Sequence, residues 1–273
     1  MPEVSAVWPL AKQPLSGHWL ALWRKAIGRR WHHVVDLRGS AFAYSVLTRR
    51  RTVVHTDHAL RHRVLHLTQG LSASSPVSPS IAWRPEHAAE AGRLLRTDGP
   101  LLAIGPTANW AGKQWPAANF GEIAARLTGT NGPLAGAHVL VAGAPDEVAA
   151  AQPAIDRLPA DRTIAAFGWS LPTLAAAFSK ASLYVGNDSG LMHLAAAVGT
   201  STLGLFGPSR DEHYAPWGDG NRVIRTPAAY EDYLTPNGLD TVLAARLMGE
   251  IPTETVFAAA AEMLAAGGNS RRD

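Results

Sequence analysis

From about residue 100 onward the chain alternates between two hydrophobic periods. Short apolar runs bounded by Gly, Pro or Asn recur at Leu101–Gly105, His138–Ala142, Thr163–Phe167, Leu183–Gly186, Ser201–Phe206 and Arg222–Thr226. Runs that are apolar on both faces suit strands buried in a parallel sheet. Between them, Ala117–Leu127, Asp146–Arg157, Leu171–Phe178 and Leu191–Val198 carry helical spacing. This alternation predicts a doubly wound α/β domain, a fold whose ligands bind at the carboxyl ends of the strands.

The front of the chain is patterned differently. Two strands are predicted, His33–Asp36 and Thr52–His55, with Val4–Trp8 as a third candidate. Helical patterns fall at Trp19–Ile27, Ala41–Leu47 and Pro85–Arg96, and the serine- and proline-rich stretch Ser72–Ser80 reads as a linker or crossing segment. Two or three parallel strands are few for a self-sufficient sheet. The front therefore reads as the later part of an α/β domain whose opening strands lie outside this sequence. The expected division is residues 1–95 and 96–265.

Composition narrows the chemistry. The 273 residues include no cysteine, which excludes disulfides, thiol nucleophiles and Cys-based zinc sites and fits a cytoplasmic protein. Met1-Pro2-Glu3-Val4-Ser5 lacks the pattern of a secretory signal, and no apolar run reaches the roughly 18 residues needed to span a bilayer. Contact with a membrane, if any, is expected at its surface. The net charge of +3 conceals an asymmetry. Residues 1–99 hold fourteen Lys or Arg against six Asp or Glu, whereas the remainder holds eleven against sixteen. The basic front either faces an anionic partner or is simply a solvated surface.

Four predicted strand ends carry candidate chemistry. The most informative is Gly186-Asn187-Asp188-Ser189-Gly190-Leu191-Met192-His193, where a strand breaks and a small-residue helix begins. Unpaired N–H groups and the positive end of the helix dipole make such a terminus an anion site. Asp188 or Ser189 suits an N-cap equally well, and His193 suits a packed histidine. The segment Gly105–Pro116 offers Thr107, Asn109 and Lys113, the last a candidate to neutralise a diphosphate. Gly143–Glu147 offers Asp146 and Glu147 to a ribose hydroxyl pair, or only to a helix dipole. Leu205–Arg210 supplies a further turn with Ser209. The P-loop, the Gly-x-Gly-x-x-Gly fingerprint and the Gly-x-Ser-x-Gly elbow are all absent, as is any set with metal-ligand spacing. Together the strand ends point to a nucleotide diphosphate.

These motifs carry a resemblance. Asp188–Gly199 continuing to Leu205-Phe206-Gly207-Pro208, with Lys113-Gln114-Trp115-Pro116, Asp36-Leu37-Arg38-Gly39-Ser40 and Ile251–Val256, resembles glycosyltransferase family 9, the ADP-heptose:lipopolysaccharide heptosyltransferases. The resemblance implies two Rossmann-like domains of the GT-B type, the first incomplete here. It implies inverting transfer of heptose from ADP-heptose to a lipopolysaccharide core or lipid A-linked acceptor, without metal or cofactor. The reaction would take place at the cytoplasmic face of the inner membrane, with no nucleic-acid partner. Ser189 and Gly190 would present amides to the diphosphate and Lys113 would neutralise it. Asp188 and His193 would hold the donor sugar and leaving-group end, and Glu147, with Asp146 as alternative, would bind ribose. Thr107 and Asn109 would lie near phosphate, while Ala108 departs from the family pattern. The catalytic set so implied is Asp188, His193 and Lys113. The family's acceptor-activating aspartate belongs to an opening glycine-rich loop, and this sequence begins beyond it. Asp36 matches a different element, and Asp57 and His58 are conceivable bases with nothing else to support them. A sugar-nucleotide-binding protein without catalysis is the alternative, and turnover discriminates the two.

Overall fold

The structure is a computed structural model. It describes residues 4–11, 13–14, 17–55, 57, 59–97 and 99–270, with side chains as far as residue 267. Two compact units lie within residues 1–77 and 78–273.

The first unit contains α1 (Gly17–Ala26), β1 (Trp31–Asp36), β2 (Thr48–Val53) and α2 (Arg63–Gly70). β1 and β2 run parallel, in register from Trp31 opposite Thr48 to Asp36 opposite Val53. β2 thus begins earlier than the predicted Thr52–His55 and includes Arg49, Arg50 and Arg51. These arginines argued against a strand only if the strand were buried, and all three are exposed. Arg51 also donates through Nε to the Ala43 carbonyl at 2.7 Å. Residues 4–8 form no strand, and the predicted helix at Ala41–Leu47 is a single 3-10 turn, Ala41–Tyr44.

The second unit opens with α3 (Pro85–Leu95), then alternates: β3 (Leu101–Gly105), α4 (Ala117–Thr128), β4 (His138–Gly143), α5 (Val148–Ile155), β5 (Thr163–Phe167), α6 (Leu171–Phe178), β6 (Leu183–Asn187), α7 (Gly190–Ala197), β7 (Thr202–Phe206), α8 (Asp211–Tyr214) and β8 (Arg222–Arg225). A short antiparallel pair, β9 (Leu234–Thr235) and β10 (Gly238–Leu239), precedes α9 (Thr241–Gly249) and α10 (Thr253–Ser270). The expected division after residue 95 falls later than the observed one because Ala91 and Leu95 of α3 are buried in the same cluster as α6.

All six long strands are parallel, in the order β5-β4-β3-β6-β7-β8. Successive residues of a strand face opposite sides of its sheet. Leu102, Ile104, Val139, Val141, Val185 and Leu205 therefore pack with α4, α5 and α10 on one face. Leu101, Ala103, Leu140, Ala142 and Tyr184 pack with α3, α6 and α7 on the other. This covering of both faces is the doubly wound arrangement expected from the continuous apolar runs. α10 extends it: Val256, Ala260 and Met263 recur on one side and are buried. Among the described residues, no helix is long and apolar enough to cross a membrane.

Two glycines are required by one tyrosine. A Cβ on Gly105 would lie 2.0 Å from the Tyr184 hydroxyl, and one on Gly186 would lie 2.6 Å from it. The buried phenol thus crosses the ends of β3 and β6, where only bare backbone leaves room. Gly105→Ala is expected to destabilise the protein by about 1–3 kcal/mol in urea unfolding. Adding Tyr184→Phe, which removes the nearest atom, should recover part of that loss. Equal stabilities for Gly105→Ala and the wild type would refute the packing described.

Candidate active site at the reversal of strand order

The sheet order reverses between β3 and β6. From β3 the chain winds outward through β4 to β5, then returns to β6 beside β3 and winds the other way. Connections leaving neighbouring strands in opposite directions open a crevice at their carboxyl ends. A cavity of about 890 Å³ occupies this position, lined by residues that follow β3, β4, β5 and β6. Thr107, Asn109, Lys113, Glu147, Asp188, Ser189, Gly190 and His193 all line it. The eight residues nominated from sequence are therefore neighbours in space, although they span positions 107 to 193.

Asn187 ties the two central strand ends together. Its amide is completely buried: Oδ1 accepts the Trp115 backbone N–H at 3.0 Å, and Nδ2 donates to the Pro106 carbonyl at 3.0 Å. The last residue of β6 thereby holds both sides of the loop after β3. Trp115 anchors the same loop from beneath. Its indole N–H donates to the Ile251 carbonyl at 3.0 Å, and its ring meets Phe120 edge-on at 4.9 Å. Gln114 braces the loop from within, donating to the Ala108 carbonyl at 2.6 Å.

Lys113 ends the 3-10 turn Ala111–Lys113 on this braced loop. Its Nζ reaches Asp188 Oδ2 at 2.6 Å, with the Lys113 side chain 28% exposed and that of Asp188 8%. A pair so placed is desolvated on the acid side, so removing either partner leaves an uncompensated charge. Asp188 also donates its backbone N–H to the Leu205 carbonyl at 3.1 Å, which holds the turn against β7. Ser189 is the N-cap residue of α7, and Gly190 is the first residue of the helix. The first amides of a helix have no intrahelical acceptor, so this end offers N–H groups and the positive end of the helix dipole to the cavity.

At the β4 end, Glu147 closes the 3-10 turn Pro145–Glu147. Its Oε2 accepts from Thr107 Oγ1 at 2.7 Å and from the Ala144 N–H at 2.8 Å. Asp146, its alternative in the sequence reading, is exposed on the same turn. Thr107 thus acts on Glu147. Its being nine-tenths buried suits this positioning.

Tyr184 Oη and Ser189 Oγ are buried without a hydrogen-bond partner. Burial pushes the Tyr184 phenol well above its ordinary pKa; the nearby Ser189 hydroxyl, too poorly placed for a full hydrogen bond, opposes this in part, and the Glu147 carboxylate adds to it. The phenol stays protonated throughout the working range of the protein.

The candidate bases of the first unit are engaged locally. Partial burial alone would raise the Asp36 pKa. Hydrogen bonds from the Ser40 hydroxyl and from the backbone N–H groups of Arg38, Ser40 and Gly39 outweigh burial and hold it below the usual range. Asp57 accepts from Arg61, and His58 lies outside the described residues. Among the described residues, no group of three or more His, Cys, Asp or Glu is placed to hold a metal ion.

Asn187 and Tyr184 were given no role by sequence reasoning. For Asn187 the available signal was its place at the strand end, between Gly186 and Asp188. Tyr184 offered none, because an aromatic residue in a buried strand is ordinary.

Comparison with known proteins places the sequence and the fold. The sequence model of glycosyltransferase family 9 (heptosyltransferase) matches residues 20–234. Lipopolysaccharide heptosyltransferase 2 of Salmonella typhimurium is 28% identical over 141 residues, which are 50% of this chain and 39% of that protein. The match thus spans about two fifths of that relative's length. The structure of the family 9 glycosyl transferase from Veillonella parvula superimposes with a TM-score of 0.73 at 21% identity, covering 94% of this chain and 81% of the other. That of the E. coli heptosyltransferase WaaC with ADP gives 0.60 at 16% identity, covering 90% and 77%.

The Asn187 clamp yields a test. Asn187→Ala leaves the buried Trp115 N–H and Pro106 carbonyl without partners, and is expected to cost about 2–5 kcal/mol in urea unfolding. Wild-type stability would show that the amide does not hold the loop.

Proposed function

The chain belongs to glycosyltransferase family 9, and on that premise we propose that it transfers a sugar, heptose from ADP-heptose, to a lipopolysaccharide core acceptor. The observation that carries this reading is the convergence of eight polar or glycine residues on one cavity, around the Lys113–Asp188 pair at the N-terminus of α7.

The chemistry of each group suggests its part. The nucleoside lies toward Glu147, whose carboxylate, already oriented by Thr107 and the Ala144 N–H, accepts from the ribose hydroxyls. The diphosphate lies against the Ser189 and Gly190 amides, where the helix end favours negative charge. Lys113 moves part of its interaction from Asp188 to phosphate, and Asp188 then turns toward the sugar. His193 stands one turn along α7 and completes the wall. As the bond from the anomeric carbon to the phosphate oxygen breaks, negative charge grows on the departing diphosphate. Donors fixed beforehand are most effective against charge that develops in the transition state. The acceptor hydroxyl attacks from the opposite face, which inverts the anomeric centre. As the hydroxyl attacks, its proton passes to a base other than these eight residues.

Support for an adenine nucleotide comes from the relative solved with ADP. Support for an anionic acceptor comes from the basic excess of residues 1–99. On this reading the protein works in the cytoplasm at the inner face of the inner membrane, where the phosphate groups of a lipid A-linked acceptor meet its arginines.

Lys113→Ala and Asp188→Ala are each expected to lower kcat/KM for transfer from ADP-heptose by at least about 100-fold. Wild-type rates in both variants would overturn the site assignment. Tight ADP-heptose binding by the wild type with no transfer to any core acceptor would overturn the transferase reading in favour of a binding protein.

A further inference from the structure

Ser189 stands at the N-cap of α7 without capping it. Ser170 holds the same place before α6, with the same extended backbone, and turns its hydroxyl to the helix, accepting the Thr173 N–H at 3.2 Å. A serine at this position ordinarily accepts from the second or third amide of its helix. In α7 those amides belong to Leu191 and Met192, and the Ser189 side chain takes neither. A Cβ on Gly190, the first residue of the helix, would meet nothing within 4 Å, so the space before these amides is open.

The Ser189 hydroxyl lies near the Tyr184 phenol instead. Residues two apart on a strand share a face, and the Tyr184 ring runs along β6 over the bare backbone of Gly186. That ring has little freedom. Phe178 meets it edge-on at 5.2 Å, and a Cβ on either Gly105 or Gly186 would collide with its hydroxyl. Tyr184 is completely buried, and among the described residues neither its hydroxyl nor that of Ser189 has a hydrogen-bond partner. A buried phenol that stays protonated needs an acceptor. Ser189 is the hydrogen-bonding neighbour that acts on it, while the Glu147 carboxylate acts through its charge. Were Ser189 to rotate and cap α7, the phenol would lose that neighbour, at the cost that attends an isolated buried polar group.

We propose that Tyr184 is a positioning residue whose buried hydroxyl keeps the Ser189 hydroxyl off the Leu191 and Met192 amides, leaving the N-terminus of α7 open to an anion. The donors of the site are then set before a ligand arrives, and none has to be freed from a cap. This rests on the nucleotide-sugar reading above and deepens it. Part of the affinity for the diphosphate is assigned to a residue outside the cavity lining.

Titration calorimetry with ADP and urea unfolding test this on four proteins: the wild type, Tyr184→Phe, Ser189→Ala and the double variant. Tyr184→Phe keeps the ring and releases Ser189 to cap α7. It is expected to bind ADP about fivefold more weakly, because the ligand must displace the cap, and to unfold at a higher urea concentration. Both differences should vanish when Tyr184→Phe is made on the Ser189→Ala background, where no hydroxyl can cap. A tyrosine that merely filled space would move affinity and stability together, in both backgrounds, or move neither. Absence of either difference, or its persistence on the Ser189→Ala background, would overturn the proposal. Failure of the wild type to bind ADP would overturn the nucleotide-sugar reading instead. The urea series then decides the positioning role, which stands if Tyr184→Phe stabilises the protein only while Ser189 is present and falls otherwise.

Discussion

The reversal of strand order between β3 and β6 imposes a problem on this fold that one side-chain amide solves. Where crossover connections diverge, no helix covers the strand ends, and backbone groups there must be satisfied by something else. Asn187 takes the Trp115 N–H and gives its own N–H to the Pro106 carbonyl, closing the gap from within. With the loop after β3 held to the end of β6, Lys113 is carried to within 2.6 Å of Asp188. The packing of Trp115 under that loop, and the bare backbone of Gly105 and Gly186 over Tyr184, are further parts of the same joint.

The charges at this joint are arranged for exchange. Lys113 is held by a mostly buried aspartate, and on the proposed reading a donor diphosphate would offer it a second anion beside the N-terminus of α7. The cost of partly separating a desolvated pair is offset only by a ligand that supplies both a negative group for Lys113 and hydrogen-bond donors for Asp188. A nucleotide sugar carries both, with its phosphates and its hydroxyls on either side of one bond.

Much of the second unit was legible in the sequence because its sheet is covered on both faces. Leu101–Gly105, Leu183–Gly186 and their companions must be apolar throughout, and such runs stand out between helical periods. Strand ends on one edge of a parallel sheet converge whatever their separation along the chain, so Thr107, Glu147 and Asp188 could be grouped from order alone. The first unit was harder to read. β2 exposes Arg49, Arg50 and Arg51, so the burial that gives strands their pattern is missing there. α10 went unpredicted because alanines surround the buried stripe of Val256, Ala260 and Met263 and flatten its periodicity. Asn187 was in view within its motif, but its function depends on Pro106 and Trp115, partners that only the folded sheet brings to it.

A structure of this chain bound to ADP would test most directly whether the joint between β3 and β6 is a donor site. The diphosphate is expected within hydrogen-bonding distance of the Ser189 and Gly190 amides and of Lys113 Nζ, with the ribose hydroxyls on Glu147. A diphosphate bound away from the N-terminus of α7, or ADP seated outside this cavity, would contradict it.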